Sequence, residues 1–452
     1  MRSLIQLSIL VLALVAIIFF TLKIPVGSGG AKKGGTISSH STQKLVLISP
    51  HTDAIKNEFR VAFPLWYFAK TGRSIELEFI DVGGTSDCIK YVMSEFKRSP
   101  KGIGIDLFFG GGTEPFLELK KNNLLLKTLV DTTVLTPIPQ HWSGIEIYDP
   151  DGYWYSTVLS GFGIVYNKKV VEKMGFAPPR EWKDLTASRY ATWIGAGDPR
   201  NSGTMHMMFE VILQAYGWDE GWKVCSGMAA NIKSFTKNAS EIPKMVARGD
   251  VAYGLAIDSY GWSAVVEAGA DKVGFILPAN LTVISGDGIG VLAGAPDSVS
   301  ARLFVEFTLS EAGQRLWFLK KGTDGGPQKQ AINRMSVRPD FYTRFGHETS
   351  IQENPFLAKS TFVFDQAKSS GRWGILNDLI GVALIDQSVA LKKAWGDSSL
   401  SAVDSISGAM PLTESQCGEL AKGWRDQVLR NKKLLEWNNF FEKKYSKMKA
   451  KE

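Results

Sequence analysis

Signatures of catalysis and of metal binding are missing from this sequence of 452 residues. It has no G-x-x-x-x-G-K-[ST] phosphate loop, no G-x-S-x-G nucleophile turn and no H-E-x-x-H zinc motif. Its five histidines never pair at the spacing of metal ligands. The sequence therefore predicts a protein that is not an enzyme and that carries no cofactor or resident metal.

Cysteine is also scarce. Cys88, Cys225 and Cys417 lie far apart and form no C-x-x-C pair. At most one disulfide could form, and it would leave an odd thiol. This spacing excludes a zinc knot and a small disulfide-stapled fold.

The folded body also lacks a net positive charge. The net charge of +7 comes from the two ends, because residues 1–39 carry +4 and residues 421–452 carry +6. Residues 40–420 are left with −3. A nucleic-acid-binding domain needs basic residues clustered on its folded surface, so we expect no nucleic-acid partner.

The N-terminus predicts export. Arg2 precedes an uncharged, mostly apolar run from Ser3 to Leu22, and Lys23 ends it. Residues 1–26 are either a cleaved signal peptide or a membrane anchor, since the run has the length of both. Residues 27–43 are rich in glycine and serine and predict a flexible linker. Both outcomes place the body in the periplasm or on the outer face of the cytoplasmic membrane.

From residue 44 the pattern predicts an α/β domain with a mostly parallel sheet, because short apolar runs alternate with helical periodicity. The expected strands are 44–49, 75–82, 106–109, 163–166, 192–195, part of 250–257, 273–277 and 288–292. The expected helices are 53–70, 87–97, one from about 114, 168–174, 204–216, 259–267, 298–309, 311–319, about 376–395 and about 417–449.

Polar and glycine-rich turns follow several of these strands, just before a helix. In open α/β sheets that edge binds ligands, and helix N-termini there favour anions. Each turn also has an ordinary interpretation as a helix cap or a tight turn, and Ser285–Gly288 reads first as a turn. Trp154 is a candidate for a cleft wall. The candidate ligand-binding residues are Ser49, His51, Thr52, Thr85, Ser86, Gly111, Gly112, Thr113, Ser160, Ser202, Gly203, Thr204, Asp258, Ser259, Tyr260 and Asp287.

The order of several motifs resembles that of extracellular solute-binding proteins of ABC transporters, among them the iron- and phosphoglycerate-type binders. The resemblance covers roughly residues 44–335 and fades after about 395. It is carried by DLFFGGGT (106–113), GIVYNK (163–168), GFAPPREWKDL (175–185), DPRNSGT (198–204), GIGVL (288–292) and SEAGQ (310–314).

The resemblance implies a type 2 periplasmic-binding fold, with two α/β lobes that close on a ligand in the cleft between them. It also implies a membrane permease as partner and a monomeric protein. The expected division is a first lobe from 44–158 and 281–338, a second lobe from 159–280, and a C-terminal helical extension over 339–452.

The ligand class follows from one departure. Ferric-ion binders of this family use adjacent tyrosines near the segment where this chain has Asp258-Ser259-Tyr260, and no Tyr-Tyr pair occurs here. We therefore expect the ligand to be a small phosphorylated or carboxylated organic anion. A ferric–anion complex is the alternative ligand. His51 is expected to add positive charge to the site. The alternative to transport is a sensor module that presents a small anion to a membrane signalling partner.

Overall fold

The structure, a computed structural model, describes residues 43–142, 144–351, 353–357, 361–396 and 409–446. The chain divides into a unit of residues 1–41 and a unit of residues 42–452. The predicted signal or anchor and nearly all of the predicted linker lie outside the described residues. The linker's last residue, Gln43, is the first residue of a strand.

The strands confirm the predicted α/β class. They are β1 (Gln43–Ile48), β2 (Ile75–Ile80), β3 (Leu107–Phe109), β4 (His141–Trp142), β5 (Ile145–Glu146), β6 (Tyr155–Asn167), β7 (Ile194–Gly197), β8 (Ile232–Thr236), β9 (Tyr253–Ile257), β10 (Val273–Ile276), β11 (Ile284–Val291) and β12 (Met335–Ser336).

The helices account for most of the remaining chain. They are α1 (Asp53–Thr71), α2 (Thr85–Arg98), α3 (Glu114–Lys121), α4 (Thr132–Leu135), α5 (Lys168–Lys173), α6 (Gly203–Tyr216), α7 (Trp218–Asn231), α8 (Glu241–Arg248), α9 (Asp258–Ala268), α10 (Ser298–Leu309), α11 (Glu311–Phe318), α12 (Pro339–Arg344), α13 (Gln366–Ile380), α14 (Ser388–Gly396), α15 (Glu414–Ala421) and α16 (Gln427–Ser446). A π-helical turn, Gly381–Asp386, follows α13.

The long strand β6 belongs to two sheets. Its first half pairs antiparallel with β11, and its second half pairs antiparallel with β9 and β10. Beyond β11 the order is β3, β1, β2, in which β1 runs parallel to both of its neighbours. Beyond β9 the parallel strands β7 and β8 follow. We call the β1–β3–β11 side lobe 1 and the β7–β9 side lobe 2.

Helix α1 shows how the sequence builds the core of lobe 1. Its apolar residues recur at helical spacing, and Ile55, Phe59 and Phe63 are buried. Gly72 ends the helix in the left-handed conformation at φ +71°, which glycine adopts without strain. The ring of Phe59 lies 4.7 Å from that of Trp317 on α11.

The C-terminal region divides between the two lobes. Phe341 and Phe345 pack into the core of lobe 1, whereas Phe364 and the apolar residues of α13 and α14 share a core with lobe 2. We call residues 361–396 and 409–446 the C-terminal extension. The predicted helix over 417–449 is two helices, α15 and α16, and the one over 376–395 starts earlier, at Gln366.

Four details differ from the sequence prediction. The sheet is mixed rather than mostly parallel, because β6 and β11 pair antiparallel with all of their neighbours. Ser285–Gly288 lies inside β11 rather than in a turn, and a register shift falls between Asp287 and Gly288. Trp154 is fully buried in a core cluster and lines no cleft. Helices α7 and α8 and strand β8 were not predicted. The three cysteines are buried free thiols.

Candidate ligand-binding cleft

A cleft of about 1110 Å³ lies where the carboxyl ends of the parallel strands of both lobes meet. Turns that follow β1, β2, β7 and β9 form its wall, as expected for an open α/β sheet. The predicted residues that line it are His51, Thr52, Thr85, Ser202, Gly203, Thr204, Ser259 and Tyr260.

The other predicted residues do not line this cleft. They are Ser49, Ser86, Gly111, Gly112, Thr113, Ser160, Asp258 and Asp287. Several of them support residues that face the cleft or lie beside it. The Ser49 hydroxyl accepts from the His51 amide at 3.2 Å, and the Gly112 amide donates to Asp287 at 2.8 Å.

Two helices from opposite lobes begin at the cleft. Ser202 caps α6, since its hydroxyl accepts the Met205 amide at 3.4 Å. Thr85 is the first residue of α2. Gly203 of α6 lies beside it, since a Cβ added at Gly203 would be only 3.0 Å from the Cβ of Thr85. The first amides of a helix have no partner within it, and the helix dipole is positive there. Both ends therefore favour a negatively charged group.

The two lobes touch each other beside these helix ends. A Cβ added at Gly84 would lie 2.2 Å from the carbonyl oxygen of Asn201. The Lys90 ammonium donates to the carbonyl oxygen of Arg200 at 3.3 Å. The structure therefore shows the two lobes in a closed arrangement.

A buried ion pair joins Arg334, the residue before β12, to Asp287 on β11. The Arg334 guanidinium donates to the Asp287 carboxylate at 2.5 Å and to the Ser160 hydroxyl at 2.7 Å. Burial alone would raise the pKa of Asp287, but the Arg334 charge and the hydrogen bond from His51 bring it well below its usual range. The register shift of β11 falls next to Asp287, and such bulges often redirect a side chain beside a site.

His51 is not the added charge that the sequence suggested. Its Nε2 lies 3.3 Å from Asp287, but burial lowers the pKa of the imidazole below its usual value. The ring is therefore mainly neutral at neutral pH. It offers the cleft hydrogen bonding rather than a positive charge.

Several buried polar atoms near the cleft lack a hydrogen-bond partner among the described residues. They are Asp258 Oδ2, Ser259 Oγ, Asn333 Oδ1 and Arg334 Nε. Burial raises the pKa of Asp258 to about 7. Buried polar groups normally have partners, and unsatisfied ones cluster at sites that receive a ligand or water. Ser259 also lines the cleft, which ties this group to the site.

Three lysines that were not predicted as site residues lie on the cleft wall. Lys237, Lys321 and Lys329 line it, and no carboxylate within the described part of the chain lies within ion-pair distance of any of them. By contrast, Lys244 and Arg248 on the same wall pair with neighbouring acids.

The loop that carries Lys329 is held in place by a buried acid. The carboxylate of Glu58 accepts the amides of Gln328, Lys329 and Gln330 at 2.9, 2.5 and 2.7 Å. A loop fixed by charge-assisted hydrogen bonds presents its lysine in a defined position. Nothing in the sequence near 328–330 indicates this anchor, because Glu58 lies far away on α1.

Acids on the wall are partly neutralised. The Lys56 ammonium lies 2.8 Å from Asp81, and this hydrogen bond is the main cause that lowers the pKa of that carboxyl. Asp53 and Glu267 are the other acids on the wall. Lysines together with two helix N-termini leave a site that suits an anion.

The described residues contain neither a cluster of metal-binding side chains nor a single membrane-spanning helix. No group of three or more His, Cys, Asp or Glu side chains there could hold a metal ion. No single helix among the described ones is long and apolar enough to cross a bilayer. The bent pair Gln366–Asp386 and Ser388–Trp395 passes that test jointly, with a 60° bend. Many residues of this pair are buried in the lobe 2 core.

Comparison with known proteins agrees with this geometry. Residues 103–331, just over half of the chain, match the family described as bacterial extracellular solute-binding protein. The phosphoglycerate transport regulatory protein PgtC of Salmonella typhimurium is 26% identical over 161 residues, which are 36% of this chain and 40% of PgtC. The chain thus spans about two fifths of the length of that relative. An uncharacterized protein of Haemophilus influenzae is 25% identical over 284 residues, 62% of this chain and 76% of the relative.

Solved structures show the same fold. The periplasmic binding protein AfuA from Actinobacillus pleuropneumoniae, with exogenous fructose-6-phosphate bound, superposes with a TM-score of 0.56 at 17% identity, over 86% of this chain and 99% of AfuA. Iron-bound HitA from Pseudomonas aeruginosa has a TM-score of 0.55 at 19% identity, over 78% of this chain and 99% of HitA. The predicted two-lobed periplasmic-binding fold is therefore confirmed.

The family is one of binding proteins rather than enzymes, and its members act outside the cytoplasm. This agrees with the missing catalytic motifs and with the predicted export. The matched segment contains the turns after β3, β7 and β9 and the whole of the long strand β6. The chain belongs to the bacterial extracellular solute-binding protein family.

Proposed function

We propose that the chain is the substrate-binding component of an ABC importer and that it captures a small phosphorylated or carboxylated anion in the cleft. The observation that carries the proposal is the pairing of two helix N-termini, at Thr85 and Ser202, with unpaired lysines on the same wall. Amides, hydroxyls and ammonium groups donate hydrogen bonds and attract negative charge.

The relatives support an anion without naming it for this chain. AfuA was solved with fructose-6-phosphate, and PgtC is named for phosphoglycerate transport. HitA was solved with iron, so a ferric–anion complex is the competing ligand class. The sequence has no adjacent tyrosines of the kind that ferric-ion binders of this family use, which favours the organic anion.

Closure is the expected means of capture. The N-termini of α2 and α6 come from different lobes, so an anion between them is enclosed only when the lobes meet. A ligand that binds the closed form better shifts the population toward it. In the proposed role, the closed form then docks on a membrane permease, and the exported body is either released or held by the N-terminal segment.

A sensor function is the second candidate, favoured by the word "regulatory" in the name of PgtC. In that role the closed, loaded protein would present its anion to a membrane signalling partner. The cleft chemistry is the same in both functions. Pull-down of a permease or of a membrane kinase by the loaded protein distinguishes them.

A thermal-shift screen tests the ligand class. The panel pairs fructose 6-phosphate with neutral fructose and 3-phosphoglycerate with neutral glycerol, and it compares ferric citrate with iron-free citrate. We expect the phosphorylated or carboxylated compounds to raise Tm and the neutral ones to leave it unchanged. Stabilisation by neutral sugars alone, or by ferric ion without an anion, would reject the proposal.

A lysine substitution with a matched control tests whether the charge on the cleft wall contributes to anion binding. Lys329→Met should reduce the Tm shift given by the best anion, because Lys329 lines the cleft and no acid neutralises it. Lys433→Met is the control, since Lys433 lies on α16 and pairs with Glu436. An equal reduction of the Tm shift in both variants would show that Lys329 acts only through the net charge of the protein.

A further inference from the structure

The C-terminal extension is part of lobe 2 by its packing. Apolar residues of α13 and α14 share one core with α6 and α7. The fully buried Arg372 guanidinium pairs with the fully buried Glu210 carboxylate of α6 at 2.7 Å. His206 Nδ1 lies 2.7 Å from Asn377 Oδ1. Such packing holds the extension and lobe 2 together as one body.

The extension also reaches α3 of lobe 1, through an ion pair and hydrogen bonds. The Arg425 guanidinium pairs with the Glu118 carboxylate and donates to Asn122 Oδ1 at 3.2 Å. Gln366 Nε2 donates to the Thr113 hydroxyl at 2.5 Å. The side chain of Arg425 is 68% exposed, so its contact is with a surface rather than a core.

The space between α3 and the extension is loosely filled. A cavity of about 950 Å³ lies there, with Glu114 and Glu118 on one side and Arg372, Trp373 and Arg425 on the other. Glu114 Oε1 is buried and has no hydrogen-bond partner among the described residues. Permanent interfaces are packed as densely as protein interiors. This contact therefore has the character of one that forms and breaks.

The contact lies next to the glycine turn before α3, which does not line the cleft but is bonded to Asp287 beside it. Thr113 alone separates α3 from Gly110–Gly112, three glycines at φ +98°, +98° and +87°. The Gly112 amide donates to Asp287, and the Thr113 hydroxyl accepts from Gln366 of the extension. Any movement of α3 relative to the extension is thus also a movement of this turn relative to lobe 2.

We propose that the C-terminal extension is a latch for cleft closure: it moves with lobe 2 and grips α3 of lobe 1 through Arg425–Glu118 and Gln366–Thr113 only in the closed arrangement. The latch stabilises the closed form from outside the cleft and so sets ligand affinity without touching ligand. This inference rests on the proposed function, because a latch matters only where closure retains a solute.

Distance measurement between lobes tests the latch without any ligand. Spin labels on Glu76→Cys at the β2 edge and Ser234→Cys at the β8 edge lie at exposed positions on opposite outer strands, and the three native cysteines are buried. Pulsed dipolar EPR on the full chain then gives the populations of closed and open forms.

We expect Arg425→Glu to move the closed-to-open ratio toward open about three- to ten-fold, the scale of an exposed ion pair that is reversed in sign. Glu118→Arg should do the same, and the double variant Arg425→Glu/Glu118→Arg should restore the wild-type distribution. Lys432→Glu carries the same charge change at an exposed position of α16 and should leave the distances unchanged.

Wild-type distances in Arg425→Glu, or failure of the double variant to restore them, would overturn the latch. A parallel titration with fructose 6-phosphate separates this result from the proposed function. If that compound and the rest of the anion panel fail to bind while the distances respond as expected, the latch stands and the ligand class falls. Circular dichroism melts confirm that the surface variants fold.

Discussion

Gly84 offers the sharpest test of closure. It precedes α2 at φ −77°, a conformation that alanine adopts without strain, so Gly84→Ala should fold normally. In the closed arrangement its Cβ would lie 2.2 Å from the Asn201 carbonyl oxygen of lobe 2. That distance is about 1 Å shorter than an ordinary carbon–oxygen contact allows. The clash exists only when the lobes meet.

The cost of this clash appears in the binding step. Overpacking by one methyl group typically costs about 1–3 kcal/mol. Because the open form avoids the clash, the whole cost falls on closure, and ligand affinity should drop about 5- to 150-fold. Calorimetric titration with the best anion of the thermal-shift panel measures Kd, and Tm without ligand should change little.

Gly418→Ala is the matched control for this experiment. Gly418 lies in α15, and an added Cβ there meets no atom within 4 Å. The control should bind as the wild type does. If Gly84→Ala also keeps wild-type affinity, the approach of Gly84 to Asn201 plays no part in binding, and closure by this contact is refuted.

Further predictions concern the site residues one by one. Ser202→Ala with Thr204→Ala should weaken anion binding by about 1–3 kcal/mol, because hydrogen bonds to charged groups contribute on that scale; unchanged affinity in calorimetry would remove both from the site. Arg334→Met should destabilise the fold by about 3–5 kcal/mol in urea unfolding, because Asp287 would stay buried and unpaired; a loss under 1 kcal/mol would contradict this. Burial raises the pKa of Glu114 to about 7, so the free energy of unfolding should fall as pH rises from about 4.5 to 7. Glu114→Gln should flatten this slope and add up to about 3 kcal/mol at pH 8 relative to wild type; equal slopes in both proteins would rule out the raised pKa.

Much of the fold was predictable from local pattern. The apolar run KLVLI and the helical spacing of 53–70 gave β1 and α1 nearly at their observed bounds. Strand β6 was predicted only over 163–166, because YSTVLSGF before it reads as polar. Its polar side chains are buried within the strand, and two of them have distant partners: Thr157 bonds to the Asp287 carbonyl oxygen and Ser160 to Arg334. Helix α7 was missed because its glycines and serine lower helix propensity, although the helix is almost wholly buried.

The part of the site that could be predicted consists of polar residues that directly follow a predicted strand. Turns at strand ends, such as those at Thr85 and Ser202, lie together on the cleft wall because the parallel strands of each lobe direct their carboxyl ends toward the junction that β6 spans. Charges were not predictable in the same way. Lys237, Lys321 and Lys329 each look like an ordinary surface lysine in the sequence. Only the tertiary structure brings them onto one wall.

Native mass spectrometry of the protein purified with the small molecule it carries tests the central claim most directly. The account predicts a bound compound of a few hundred daltons that is negatively charged in solution and carries a phosphate or carboxylate, lost on unfolding. A neutral sugar or a bare metal cation as the bound species would contradict it.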